Sequence, residues 1–230
     1  MLLMNSGLWI LHDTVTINMS VMNPSLQGER RRWAALGAVL LAQLMIVLDA
    51  TIVNVALPAI QTDLHFSQSS LTWVVNAYLI TFGSFLLVAG RLGDLVGRRR
   101  VLLIGLAVFT AASALCGFAQ DGTMLVAARF LQGLGGALSS AVILAILATE
   151  FPDPAERTQA MSLYTFVSVA GGSIGLLAGG ALTQAIDWHW IFFVNVPIGA
   201  LEPRSPCRHW SWSARASGSA RASTSSAPSS

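Results

Sequence analysis

Gly90-Arg91-Leu92-Gly93-Asp94-Leu95-Val96-Gly97-Arg98-Arg99-Arg100 lies between two uncharged apolar runs, residues 71–90 and 101–119. Each run is about 20 residues long, enough for one helix to cross a hydrocarbon core of roughly 30 Å. The stretch between them therefore reads as a short charged hinge joining two membrane helices. A basic hinge by itself marks only the side of the membrane that arginines prefer. The spacing Gly90-x-x-x-Asp94-x-x-Gly97-Arg98 is far more specific.

Composition agrees with a membrane chain. Of the 230 residues, 54% are hydrophobic and 10% charged, against about 25% charged in an ordinary soluble domain. All 13 basic residues are arginine, a bias that suggests a GC-rich gene. Cys116 lies in an apolar run and reads as a small core residue. Together with Cys207 it forms no disulfide framework and no metal-ligand spacing. Gly133–Gly136 is mid-helix, without a preceding strand or a Gly-Lys-Ser/Thr end, and is not a phosphate loop. No nucleophile motif is present. No enzyme activity, cofactor, metal or nucleic-acid partner is expected.

Outward from the hinge, further apolar segments cover 33–57, 123–149 and 160–186, and a sixth begins near Trp190. Pro58 and the polar stretch 61–70 close the first, and Pro152 and Pro154 break the chain before the fifth. The expected fold is an all-α membrane protein of five full transmembrane helices and part of a sixth. Arg30–Arg32, Arg98–Arg100 and Arg157 fall on one side, whereas 61–70, 120–122 and 187–189 contain no Lys or Arg. The positive-inside rule places the N-terminus and the basic loops in the cytoplasm. Trp33, Trp73, Trp188 and Trp190 stand near helix ends, where an amphipathic ring suits the interface.

The two ends differ in character from the rest. Residues 1–32 have no basic segment before a short apolar stretch and do not read as a cleavable signal. They are expected to form a cytoplasmic tail, with Met19 and Met22 as alternative starts. Residues 202–230 hold ten serines, four arginines and three prolines, a composition unable to bury enough surface to fold. This is either a disordered tail or an off-frame translation that cuts the sixth helix in mid-span, and the cut favours the second.

Three sets of residues carry candidate chemistry. Asp49 is the one charge of the first helix, and an acid inside a bilayer defaults to a functional role; a structural, protonated acid near the interface is the alternative. Arg129, Gln132, Gly133, Gly136 and Ser140 fall at offsets 0, 3, 4, 7 and 11, one face of the fourth helix. A mid-membrane arginine does not face lipid, so that face looks into the bundle or an aqueous cavity. Gly171, Gly175 and Gly179 recur every four residues, with Gly172 and Gly180 beside them, a spacing that lets helices approach closely.

The hinge resembles the signature loop of the major facilitator superfamily. The run Leu48-Asp49-Ala50-Thr51-Ile52-Val53-Asn54-Val55-Ala56-Leu57-Pro58 resembles the first-helix motif of its fourteen-helix drug:proton antiporter branch. Arg129-x-x-Gln132-Gly133-x-Gly135 resembles the fourth-helix motif, and Asp187 to Gly199 resembles a further stretch of that branch, with His189 where arginine is frequent. The glycines of the fifth helix resemble the antiporter motif, but Leu176 stands where that motif usually has proline. Over residues 33–200 the resemblance implies the first half of a proton-driven exporter of small amphipathic compounds. It implies proton coupling at Asp49 and Arg129, and a conformational-switch loop at Gly90, Asp94, Gly97 and Arg98. Helix packing falls to Gly171, Gly175, Gly179 and Gly180. The implied partners are membrane lipid, protons and small-molecule cargo, and the implied location is the bacterial inner membrane. A same-fold transporter of another metabolite, or a non-transporting membrane protein that pairs with a longer relative, are the alternative readings. On the off-frame reading, resequencing the coding DNA from about codon 190 is expected to reveal apolar runs in another frame; their absence would make the tail genuine.

Overall fold

The computed structural model describes residues 24–201, with side chains from Arg32 to Ala200. Five long helices follow one another: α1 (Pro24–Asp63), α2 (Gln68–Val96), α3 (Arg98–Gly117), α4 (Gly122–Glu150) and α5 (Pro154–Ala185). Two short ones, α6 (Trp190–Phe193) and α7 (Asn195–Leu201), form the start of the sixth segment. Each of α1–α5 is long and apolar enough to cross a membrane, and no strand occurs among the described residues. The expected tails before residue 24 and after residue 201 lie outside the described residues.

The helices outrun their expected bounds, for local reasons. α1 begins at Pro24 rather than residue 33, and it passes through Pro58 to Asp63. Proline there removes a single backbone hydrogen bond, while Ala56 and Ile60 on either side are fully buried and hold the segment in place. α2 does not stop at Gly90 but continues through Asp94 to Val96. The hinge therefore reduces to one residue, Gly97, at φ +105° and ψ 126°, a conformation open to glycine. Pro154 begins α5 instead of merely breaking the chain: Asp153 is the N-cap, accepting from the amides of Ala155 and Glu156, and proline at the first helical position loses nothing. Between α6 and α7, Pro197 lacks the N–H that would bond the Phe193 carbonyl, while Val194 keeps helical dihedrals, φ −57° and ψ −32°.

Packing divides the bundle. α4 lies along both α2 and α3, and α1 lies along α5, while α1 meets α4 over a shorter stretch. Close approach depends on glycine. A Cβ added at Gly135 would lie 2.5 Å from the Phe109 nitrogen and 2.8 Å from the Gly105 carbonyl oxygen, both main-chain atoms of α3. One added at Gly133 would lie 2.5 Å from the Tyr78 carbonyl oxygen of α2. On α5, Gly171 faces Leu44, Gly175 faces Thr51 and Gly179 faces the Ile52 backbone, whereas Gly180 is open to within 4.0 Å of Val55 Cγ1. Gln43 donates to Ser168 at 3.1 Å, and Arg32 pairs with Glu156 at 2.9 Å, tying the same two helices.

The hinge is anchored to α4. Arg98 donates to the Ala145 carbonyl at 3.0 Å and to Asp94 at 3.3 Å. Gly93, one turn before Gly97, abuts Val142, where an added Cβ would lie 2.6 Å from Cγ1; Gly90 has nothing within 4 Å. At the opposite end of the bundle, Trp188 is buried and donates to Asp63 at 2.9 Å. It is a clasp between α1 and the sixth segment rather than an interfacial ring. Next to it the His189 ring nitrogen lies 2.9 Å from Asp187, and that hydrogen bond holds the Asp187 carboxyl below its ordinary range. The contact is present above the usual carboxylate range and is lost as pH falls through the lowered value.

Large apolar side chains point outward along α2 and α5, Leu87 at 85% and Leu177 at 77% exposure among them, as suits contact with lipid. Gly135→Ala is expected to lose about 1–3 kcal/mol by forcing α3 and α4 apart. Gly180→Ala should be neutral or gain up to about 1 kcal/mol of helix propensity. Unfolding in detergent compares the two, and equal stabilities would contradict this account of the α3–α4 contact.

Candidate functional site

Two apolar clusters fill the bundle, one around Phe109, Ile143 and Phe151, the other around Ile52, Ile60, Leu125 and Phe192. Between them lies a polar layer made of one or two residues from each contributing helix. Asp49 comes from α1, Ser113 from α3, Arg129 and Gln132 from α4, and Asn195 from α7, none more than 1% exposed. Buried groups of this kind persist only when every donor and acceptor is matched.

The layer is closely matched. Arg129 Nη1 donates to Asp49 Oδ2 at 2.7 Å and to Gln132 Oε1 at 2.7 Å. Arg129 Nε donates to the Val74 carbonyl of α2 at 3.1 Å. The guanidinium also sits 4.4 Å from the centre of the Tyr78 ring, a favourable cation–π placement. Gln132 Nε2 donates to Asp49 Oδ1 at 2.7 Å and to Ser113 Oγ at 3.2 Å. Asn195 Nδ2 donates to Ser113 Oγ at 3.0 Å and, more weakly, to Asp49 Oδ1 at 3.4 Å. Ser113 Oγ donates to the Phe192 carbonyl at 2.9 Å. Cys116 Sγ, an otherwise apolar core atom, lies 3.6 Å from Gln132 Oε1.

The structure brings Asp49 and Arg129, 80 residues apart, into one ion pair. Asp49 is buried in protein, not at the interface. The fourth-helix face divides: Arg129 and Gln132 reach toward α1 and α3, while Gly133 and Gly136 pack on Tyr78 and Phe82 of α2, and Ser140 is half-buried. That face is enclosed by neighbouring helices. The fifth-helix glycines lie against α1, and the hinge residues Gly90, Asp94, Gly97 and Arg98 form a separate group beside α4. Ser113 and Asn195 are the members that sequence reasoning missed. Asn195 stood as the one amide in the apolar run 190–201 and could have been noticed on that ground; Ser113 had no such signal among the small residues of α3. No cluster able to hold a metal occurs among the described residues.

Five helices long and apolar enough to cross a membrane, gathered round a buried ion pair, define the class as a multi-pass membrane protein. Residues 39–202 match the model of the Major Facilitator Superfamily, and the chain belongs to that family. It is 45% identical over 182 residues to the puromycin resistance protein of Streptomyces alboniger, covering 79% of this chain and 36% of that one. It is 43% identical over 158 residues to the cephamycin export protein of Amycolatopsis lactamdurans, covering 69% and 32%. A 41% match to the lincomycin resistance protein of Streptomyces lincolnensis covers 75% and 35%. The chain thus spans about a third of the length of the curated relatives it matches. Its fold is similar to that of a bacterial homologue of the human lysosomal transporter Spinster, solved inward-facing and unoccupied, with a TM-score of 0.61 at 20% identity, covering 75% of this chain and 41% of that one.

Removing one member of a buried pair strands the other charge, at a cost of about 3–5 kcal/mol. Arg129→Leu and Asp49→Asn are each expected to destabilise the bundle by about that much, and the double variant by clearly less than their sum. Additive losses in a detergent-unfolding cycle would show that the two groups do not sense each other.

Proposed function

We propose that residues 33–200 form one half of a proton-coupled exporter of small amphipathic compounds, with Asp49 as the proton carrier and Arg129 as its counter-charge. The single observation that carries this reading is the Asp49–Arg129 pair, buried at 2.7 Å between α1 and α4. A proton arriving at Asp49 cancels one charge and leaves the other, so the two protonation states differ in what holds α1 to α4. An electrostatic difference of this kind can bias alternating access.

Transporters of this kind are built from two pseudo-symmetric halves with the cargo site between them, and the facing half is required for transport. The arginine clusters support a cytoplasmic N-terminus in the bacterial inner membrane. Arg98, held to both Asp94 and the α4 backbone, supports a switch role for the hinge. The names of the puromycin and lincomycin resistance relatives favour drug-like cargo, and that of the cephamycin export protein favours a secreted metabolite as the second reading.

The test joins residues 33–200 to the remainder of the puromycin-resistance relative, in bacteria lacking their own exporters. The chimera should lower drug accumulation, and a protonophore should abolish the difference. Arg129→Ala should lose at least tenfold of the export while still inserting in the membrane. Undiminished export by that variant would remove the coupling role from Arg129.

A further inference from the structure

The polar layer contains two side-chain amides, and they are not equivalent. Gln132 is pinned: its Oε1 accepts from Arg129 and its Nε2 donates to Asp49. Turned over, it would set an NH2 group against a guanidinium, which has only donors. Asn195 has no cation beside it. Its Nδ2 divides its two hydrogens between Ser113 Oγ and Asp49 Oδ1, and the second bond is the longest made to that carboxylate.

We propose that Asn195 is the positioning residue that carries the protonation state of Asp49 to the sixth segment, by turning its amide over when Asp49 takes up a proton. The inference rests on the reading of Asp49 as the proton carrier. As a carboxylate, Asp49 accepts three donors: Arg129 on Oδ2, and Gln132 and Asn195 on Oδ1. A proton from the medium placed on Oδ2 would face the guanidinium, which accepts nothing. Placed on Oδ1, it needs an acceptor; of the two amides bonded there Gln132 is pinned, and Asn195 can offer one by exchanging its Nδ2 for its Oδ1. Arg129 meanwhile stays bonded to Gln132 Oε1 and the Val74 carbonyl.

The exchange has a second consequence. Asn195 Oδ1 then also faces Ser113 Oγ, which has a single hydrogen. That hydrogen now bonds the Phe192 carbonyl. Drawn to Asn195, it releases the Phe192 carbonyl of α6. The bond from Ser113 of α3 to the Phe192 carbonyl is thus made when Asp49 is charged and lost when it is neutral, while Ser113 stays bonded to Asn195. Of the other groups around Asp49, Arg129 is a cation with only donors, Cys116 of α3 is turned to Gln132 Oε1, and the Tyr78 hydroxyl of α2 is buried without a hydrogen-bond partner. The charges of α5, Glu156 and Arg157, stand in its first turn, and α6 and α7 have none.

The experiment uses the full chain in lipid nanodiscs. Infrared difference spectra against pH read the carboxylic-acid band of Asp49, assigned by its loss in Asp49→Asn. Hydrogen exchange, corrected for its intrinsic pH dependence, reads the amides of 192–199. Wild type should show the Asp49 band and, with the same midpoint, a roughly five- to tenfold fall in protection of those amides, the loss expected for one net hydrogen bond. Asn195→Leu and Ser113→Ala should both keep the Asp49 band and lose the exchange response; Ser113→Ala removes only a hydroxyl and serves if the leucine variant misfolds. A wild-type response in Ser113→Ala, or in a folded Asn195→Leu, overturns the relay. An Asp49 band with no exchange response in wild type overturns it too, while leaving the coupling reading intact. No Asp49 band at any pH removes the coupling reading itself, and the relay with it.

Discussion

Arg129 cannot be left alone. A guanidinium enclosed by apolar helices loses its hydration, and the loss is recovered only by a counter-charge and by acceptors for its other N–H groups. Asp49, Gln132 and the Val74 carbonyl supply them from three helices. Much of the bundle's geometry serves this requirement. α1 must cross α4 at the level of Asp49, and α2 must come near enough for its backbone to accept from Arg129 and for Tyr78 to cover the cation.

Such proximity excludes side chains from the contact surfaces. Gly133 meets the backbone of α2, Gly135 meets that of α3, and Gly179 meets that of α1. Between lipid-facing helices the hydrophobic effect adds little to association, so close backbone approach and interhelical hydrogen bonds carry the load. The result is two packed groups, α2–α3–α4 and α1–α5, joined by two apolar clusters and by the polar layer. The polar layer responds to charge, whereas the apolar clusters on either side do not.

The sixth segment enters through two groups. Asn195 reaches the polar layer at Ser113 and Asp49, and the Phe192 carbonyl accepts from Ser113. Pro197 removes one backbone donor from that segment.

The number of spans was legible because a bilayer imposes length and apolarity on any segment that crosses it. Asp49 and Arg129 were legible singly, since a charge in an apolar run has no neutral explanation. Their pairing was not, because nothing local relates residues 80 positions apart. Helix ends were misjudged where composition and packing disagree: the charged stretch after Gly90 looked like a loop, yet α2 continues through Asp94 until Gly97 allows the turn. Ser113 was invisible, since a serine among alanines takes its meaning from what lies opposite. The amino-acid sequence alone determined which segments cross the membrane and which charges are trapped there, because both follow from transfer out of water. Tertiary structure alone decided which partners those charges take and which glycines are indispensable, because hydrogen bonds and backbone contacts depend on distances between helices.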